Sequence, residues 1–482
     1  MKKRVMIIGL DCATPQLVFD RWLEDLPNIK SLVEGGVWGK LRSTDPPITV
    51  PAWMSMMTSK DPGRLGFYGL RNRVDYSYDK MSTANSTFVK EPTVWDILSE
   101  RGKKVILIGV PQTYPPKPVN GEMVTCFLTP STDKQFTYPP GLRDEVQRVT
   151  GGYILDAVGF RADEEEKDRV LKTIYEMTEK RFRLARHMVE TRPDWDFFMM
   201  VEMGPDRIHH MFWKYTDPEH PKYVAGNKYE SCIYDYYKFV DLQIGELLAT
   251  IDDQTSVLIV SDHGARAMVG GVCFNEWLIN EGYLVLKSRP ESPGPVEKCD
   301  VDWSRTKAWG SGGYYARLML NVKGREPQGV IERGAEYECL RAELIEKLRA
   351  LPDHNGNSMD TQVVRPEEVY KEVRGVPPDL FVYFGNLAWR SVGSIWPAQP
   401  ESVYTFENDT GPDDANHDYH GIFIMRDRAG GQSLEAEGLN LKDVAPTVLD
   451  LLGEAVPADM DGKIITREHL GTHASSVPPS RL

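Results

Sequence analysis

The sequence has little cysteine, and what it has is dispersed. Six residues, at positions 12, 126, 232, 273, 299 and 339, form no CxxC pair, so neither a zinc ribbon nor a disulfide framework is indicated. Reduced thiols in a cytoplasmic protein are the resulting expectation. Long hydrophobic runs are also missing: no apolar stretch approaches the roughly 18 residues of a membrane span. The opening MKKRVMIIGLD is basic, as a signal peptide is, but its apolar run VMIIGL stops at Asp11, too short for a signal core and suited to a buried first strand. Positive charge is in deficit as well. The 57 Lys and Arg against 71 Asp and Glu give a formal charge of −14, which argues against binding of nucleic acid polymers or anionic membrane. A small phosphorylated substrate is not excluded, because bound divalent cations make a site locally positive inside an acidic protein.

What is present is an ordinary globular composition, 41% hydrophobic and 27% charged over 482 residues, enough for one large α/β domain with an insertion. Short apolar runs recur between helical patterns: VMIIGL before Asp11, KVILIGV at 104–110, WDFFMMVE at 195–202 and SVLIVS at 256–261. Runs apolar on both faces and separated by helices predict an α/β fold, a central, mostly parallel sheet with helices on both sides. Helices are expected at 15–34, 51–59, 93–101, 163–191, 228–250, 274–282, 336–350 and 443–452. A Pro-rich linker begins at 286, and the next strongly apolar run is DLFVYF at 379–384. The reading is therefore a catalytic core of 1–285 plus 379–470, an inserted α+β cap at 286–378, a long loop at 388–416 and a flexible tail at 471–482.

Ligands in an open parallel sheet bind at the carboxyl ends of strands, so acids that follow apolar runs are the first candidates. Asp11, Asp206 and Asp262 qualify; taken singly, each also reads as a helix cap or turn former. Their neighbours add weight. Asp262, His263 and Gly264 stand together, and Gly264 permits the sharp turn that lets Asp and His reach one cation. Asp206 and His210 are spaced i, i+4 and share a face of a helix starting near Pro205, where His209 points about 100° away. His417 precedes a late apolar run, with His420 as its rival. Carboxylate and imidazole together suit zinc, manganese or iron rather than calcium or magnesium. For the nucleophile, Pro51 favours a first helical turn and leaves Thr49 at the helix entrance, where free N–H groups favour an anion. An N-cap role for Thr49, and Thr44 or Ser55 as the hydroxyl, are the alternatives. Trp53 reads equally as core or as part of a leaving-group pocket.

Asp11 after the first strand, PPITVPAWMSMMTSKDPGRLGF, Asp206 with His210, SDHG at 261–264 and His417 before Gly421 resemble the type I phosphodiesterase/nucleotide pyrophosphatase group of the alkaline phosphatase superfamily. GVPQTYPPKPVNG at 109–121 and NVKGREPQG at 321–329 are similar to a bacterial and archaeal branch described as predicted phosphohydrolases or phosphomutases. The resemblance implies two divalent ions, zinc by the habit of the phosphodiesterases, with manganese or iron as alternatives. One would be bound by Asp11, Asp262, His263 and the Thr49 oxygen, the other by Asp206, His210 and His417. It implies hydrolysis of a phosphodiester or pyrophosphate bond through a covalent phosphothreonine, with a phosphomonoesterase or phosphomutase acting on a small phosphorylated metabolite as the alternative. Where nucleotide pyrophosphatases carry a phosphate-binding asparagine, 21 residues after the threonine, this chain has Leu70. Arg71, Asn72 or Arg73 could supply the missing donor. Arg64, Arg71 and Arg266 are further candidates for nonbridging phosphate oxygens, each with the alternative of pairing with a carboxylate.

Overall fold

The run VMIIGL becomes the centre of the sheet. In this computed structural model, which describes residues 3–159, 163–408, 410–428 and 430–467, strand β1 (Arg4–Leu10) buries six of its seven residues, which requires cover on both faces. The expected tail at 471–482 lies outside the described residues. Nine more strands complete the sheet: β2 (Val37–Arg42), β3 (Val105–Ile108), β4 (Gly121–Val124), β5 (Thr137–Tyr138), β6 (Phe197–Glu202), β7 (Thr255–Val260), β8 (His420–Arg426), β9 (Leu434–Glu435) and β10 (Leu439–Asn440). Their spatial order is β9, β2, β8, β7, β1, β6, β3, β4, β5, with β10 paired beside β2.

Parallel pairing joins β7, β1, β6, β3 and β4. Gly9 of β1 stands opposite both Val201 and Val260, so β1, β6 and β7 end together at one rim. Strand β8 runs antiparallel to β7 and to β2. It therefore begins where its neighbours end, and residues just before it meet residues just after β7.

Helices flank the sheet. Helix α1 (Thr49–Thr58) packs with α6 (Val444–Leu452), while α2 (Lys167–Thr191), α3 (Gly204–Thr216) and α4 (Cys232–Leu248) pack on one another. In α2 the buried stripe Val170, Ile174, Met177, Arg181, Ala185 and Met188 follows the three-and-four spacing of one helical face. The helix expected over 15–34 is broken into a π turn at Gln16–Arg21, a 3₁₀ turn at Leu23–Asp25 and an α-helix at Pro27–Glu34. Pro27 lacks the N–H needed to continue a helix and is suited to starting one.

A second hydrophobic cluster runs from Val272 to Ile395, wider at both ends than 286–378. Its centre is an antiparallel sheet of Ala308–Ser311, Ala316–Leu320, Leu380–Tyr383 and Gln362–Val364, accompanied by α5 (Ala335–Ala350). The DLFVYF run, expected to return to the core, thus joins the inserted sheet; β pairing partners are not encoded in hydrophobicity alone. The segment 388–416, expected as a loop, carries Trp389–Val392, Ser394–Ile395, Tyr404–Thr405 and the start of Ala415–Asp418.

Gly9 links sheet and helix. A Cβ there would lie 2.5 Å from Trp53 Cη2, and Trp53 on α1 is fully buried. Gly9→Ala must displace the indole, an overpacking change of about 1–3 kcal/mol. Urea unfolding is expected to show a lowered midpoint with an unchanged slope.

Candidate metal centre and active site

The common rim gathers every candidate ligand. Asp11 follows β1, with its N–H donating to Glu202 O at 2.9 Å. Asp262 and His263 follow β7, Asp206 and His210 lie on the first turns of α3 after β6, and His417 lies on Ala415–Asp418, just ahead of β8. That short strand pairs with Gly264–Ala267, placing His417 opposite Ala265. The turn freedom expected of Gly264 is not what the site uses, since positive φ occurs instead at Cys12. Gly264 is required because a Cβ there would lie 2.2 Å from the His420 carbonyl oxygen.

The six side chains are buried and converge. Asp262 Oδ2 lies 3.2 Å and Asp11 Oδ1 3.8 Å from His263 Nε2. His210 Nε2 lies 3.3 Å from Asp206 Oδ1 and 3.2 Å from His417 Nε2, and His417 Nε2 lies 3.6 Å from Asp206 Oδ1. Two clusters result, each able to hold a metal ion: the ligand atoms of Asp11, Asp262 and His263 lie within 4.8 Å of one another, as do those of Asp206, His263 and His417. Thr49, half-buried at the start of α1, brings Oγ1 to 3.3 Å from His263 Nε2.

Each histidine is oriented through its other nitrogen. His210 Nδ1 donates to Asp413 Oδ1 at 2.7 Å, His417 Nδ1 to Pro47 O at 2.9 Å and His263 Nδ1 to Gly264 O at 3.1 Å. An N–H committed to an acceptor leaves the Nε2 lone pair of the neutral ring for a cation. Trp53 Nε1 donates to Asp11 Oδ2 at 2.7 Å, and the Cys12 N–H to Asp262 Oδ1 at 3.2 Å. The other oxygens, Asp11 Oδ1 and Asp262 Oδ2, are buried without a hydrogen-bond partner. Orphaned carboxylate oxygens facing imidazole lone pairs fit divalent metal ions of the zinc, manganese and iron type.

The electrostatics agree. Burial pushes both Asp11 and Asp262 well above the usual carboxylate range; repulsion from Asp262 and then Asp206 adds to it at Asp11, and at Asp262 repulsion from Asp206 adds to it while the Cys12 N–H acts downward. At Asp206 burial acts upward but is outweighed by His210 and Arg207, which hold it well below that range. Burial depresses His263 and His417, whereas at His210 the depressing effect of burial is overcome by Asp413 and Asp206, raising it to about 9.

The rivals lie elsewhere. His209 stacks on Tyr237, whose hydroxyl is 3.2 Å from its Nε2. His420 is exposed. The Thr44 hydroxyl donates to Pro46 O at 2.7 Å, and Ser55 is fully buried. Trp53, which read as core or pocket wall, is core with its indole N–H on a candidate ligand.

Thr49, Asp206, His210 and His417 line a cavity of ≈850 Å³ whose walls include Leu70, Phe127, Ile154, Leu155 and Tyr314. The four expected substrate-binding residues are not among its lining. Arg64 pairs with Glu91 and Asp459 at 3.0 and 2.9 Å. Asn72 is buried and staples a turn, accepting from the Tyr68 N–H at 2.7 Å and donating to Gly69 O at 2.8 Å. Arg266 donates to Asn386 O at 2.5 Å, and Arg71 faces a neighbouring cavity. Charge alone suggested these arginines, and charge does not reveal which acid folds beside them.

Sequence reasoning missed three contributors. Arg207 is buried and pairs with both Asp206 and Asp156. Asp413 orients His210, and Tyr314 from the inserted unit stacks on His210 and lies 4.1 Å from the His417 ring centroid. Adjacency to Asp206 was a signal for Arg207; nothing local marked the other two.

The sequence profile described as Type I phosphodiesterase / nucleotide pyrophosphatase matches residues 5–419. Similar solved structures include human ectonucleotide pyrophosphatase/phosphodiesterase 5, at 12% identity and a TM-score of 0.55, over 96% of this chain and 97% of that one. They also include the murine form, an inactive variant in complex with AMP, at 14% identity and a TM-score of 0.53, over 95% and 96% of the two chains. No curated protein matches the sequence.

Removing the Asp413 carboxylate should loosen metal without unfolding the sheet. Asp413→Asn is expected to weaken zinc binding roughly 10–100-fold, the usual cost of losing such a partner, as read by chelator competition. Zinc affinity should also rise with pH. Protons on Asp11 and Asp262, held by their raised affinities, and on His210 up to about 9, must leave before metal binds. Zinc added to weakly buffered metal-free protein at pH 7 is therefore expected to release protons, and more of them at lower pH.

Proposed function

The chain belongs to the type I phosphodiesterase/nucleotide pyrophosphatase family and is a metal-dependent phosphoric ester hydrolase; from that premise we propose that Thr49 is its nucleophile and a phosphodiester or pyrophosphate its substrate. The observation that carries this reading is the Thr49 hydroxyl, open to the cavity and 3.3 Å from His263 Nε2, where the two ligand clusters meet. In this reading Asp11, Asp262, His263 and Thr49 hold one divalent ion and Asp206, His210 and His417 the other. When bound, two such ions, zinc in the first instance, supply Lewis-acid polarisation and neutralise charge developing at phosphorus.

The chain's own residues do the rest. Thr49 Oγ1 attacks phosphorus, the bond to the leaving group breaks, and a phosphothreonine forms at the first turn of α1. There unpaired helix N–H groups and the helix dipole favour an anion. Water then attacks phosphorus from the side the leaving group vacated, the bond from phosphorus to Thr49 Oγ1 breaks, a proton from the water restores the threonine hydroxyl, and two inversions give net retention. Asp413, Pro47 and Gly264 keep the three imidazoles in one tautomer, and Trp53 fixes the Asp11 carboxylate. Tyr314 brings the inserted unit over the site as a cap.

The cavity's charge supports a diester over a monoester. Among the described lining residues the one arginine is Arg207, already held by Asp206 and Asp156. No lysine lines it, and Leu70 stands where the family resemblance places a phosphate-binding asparagine. Among the described residues, the second negative charge of a monoester therefore meets no cationic side chain of its own.

The zinc-loaded protein is expected to cleave bis(p-nitrophenyl) phosphate with a higher kcat/KM than p-nitrophenyl phosphate. The reverse order would move the reading to a phosphomonoesterase or phosphomutase. Thr49→Ala should retain its metal by elemental analysis while kcat falls by about 10³-fold or more, as removal of a nucleophile does elsewhere. Undiminished turnover in that variant rules out Thr49 as nucleophile.

A further inference from the structure

A second cavity has a volume of ≈360 Å³. Chain neighbours divide between it and the catalytic cavity: Leu70 lines the catalytic cavity and Arg71 the other, and Tyr314 lines the first and Gly313 the second. Neighbouring Cα atoms are about 3.8 Å apart, which brings the two linings close together at Leu70–Arg71 and at Gly313–Tyr314.

Its chemistry is the opposite of the catalytic cavity's apolar walls. Among the described residues Arg71, Arg317 and Arg390 line it, with Glu297 the one carboxylate. Arg317 donates to the Arg71 carbonyl, which holds these two arginines at one corner. Arg390 is fixed between Asp413, 3.3 Å away, and Thr410, whose hydroxyl accepts at 2.7 Å. The same Asp413 orients His210, tying this cavity to the catalytic centre. Gly294, Gly310, Gly312, Gly313 and Gly393 are among its lining, so part of its wall is backbone. Arginine guanidiniums beside a backbone wall suit a planar or tetrahedral oxyanion.

We infer that this cavity is a distal anion subsite, in which Arg71 and Arg317 receive a phosphate or carboxylate carried at the far end of the substrate's ester arm. The inference rests on Thr49 and its cavity being the catalytic site, and it specifies that site's substrate class: a phosphodiester with a second anion. Free inorganic phosphate shares the recognised chemistry, and the experiment separates the two sources.

The zinc-loaded enzyme is offered two p-nitrophenyl phosphodiesters whose second arm is the same short alkyl chain, ending in a methyl group or in a phosphonate. Wild type should favour the phosphonate-ended diester in kcat/KM by roughly tenfold or more, the worth of one charge-assisted contact. The ratio should fall to about one in Arg71→Gln/Arg317→Gln and recover in part in Arg71→Lys/Arg317→Lys, as expected where charge is what is recognised. A wild-type ratio near one, or a ratio that survives the glutamine pair, overturns the subsite.

Calorimetry on zinc-loaded Thr49→Ala gives a readout that needs no turnover. An alkane bisphosphonate should bind more tightly than the alkyl monophosphonate of equal length, and the glutamine pair should abolish the difference. An arginine-dependent second equivalent of inorganic phosphate, with no advantage for the bisphosphonate, assigns the cavity to the free anion and overturns the substrate arm. If neither diester is hydrolysed while the bisphosphonate advantage persists, the catalytic reading fails and the subsite stands. If both are hydrolysed at equal rates, the subsite fails and the catalytic reading stands.

Discussion

Two carboxylates, Asp11 and Asp262, are buried at the ends of adjacent strands, each with one oxygen that no protein group satisfies. The register of β1 and β7 makes this unavoidable, because both strands stop at the same rim. In water each acid would ionise freely; inside the protein, ionisation of both without a partner costs several kcal/mol. Burial accordingly raises the proton affinity of each. A divalent ion removes it, and much of the surrounding structure is arranged so that nothing else does. Trp53 and the Cys12 N–H satisfy the outer oxygens and leave the inner ones bare.

The antiparallel β8 follows from the same constraint. An all-parallel sheet would bring only strand ends to the rim, and the chain after each would depart into a helix. One reversed strand brings its beginning there, so His417 arrives from a segment some 150 residues beyond His263 and stacks on it with ring centroids 3.8 Å apart. The inserted unit uses the same rim. Tyr314 reaches the His210 and His417 rings, and its hydroxyl donates to Asp413 Oδ2 at 3.2 Å. The inserted unit and the candidate ligands are thus one hydrogen-bonded assembly.

The core strands were legible because burial on both faces writes a continuous apolar run, and the acids because they follow such runs directly. Asp206 and His210 were legible through helical spacing. Thr49 was legible through Pro51, whose fixed backbone marks a helix entrance. Asp413 and Tyr314 were not, since each meets His210 across at least 100 residues of chain and neither lies in a periodic pattern. The inserted unit's edges were misjudged for a similar reason: DLFVYF is as apolar as a core strand, and only its pairing with Ala316–Leu320 assigns it to the insertion. Arg64 and Arg266 failed as substrate ligands because their partners, Glu91, Asp459 and the Asn386 carbonyl, are brought to them by the fold.

An acidic chain can still be built to receive anions, and the charges at the rim set which ones. Asp11, Asp206 and Asp262 contribute three negative charges, the ring nitrogens of the three histidines are neutral when they face a cation, and Arg207 is balanced by Asp156. Two divalent ions in that setting leave one positive charge in excess. A phosphodiester, with its single negative charge, closes the balance; a phosphomonoester dianion exceeds it, in a cavity whose walls near Thr49 are largely apolar. Additional negative charge on a substrate must then be met away from phosphorus. The second cavity's described lining carries Arg71, Arg317 and Arg390 where the catalytic one is largely apolar, so in the proposed reading charge is divided: the candidate metal ligands answer the reacting phosphoryl group, and side-chain cations stand one residue further along the chain.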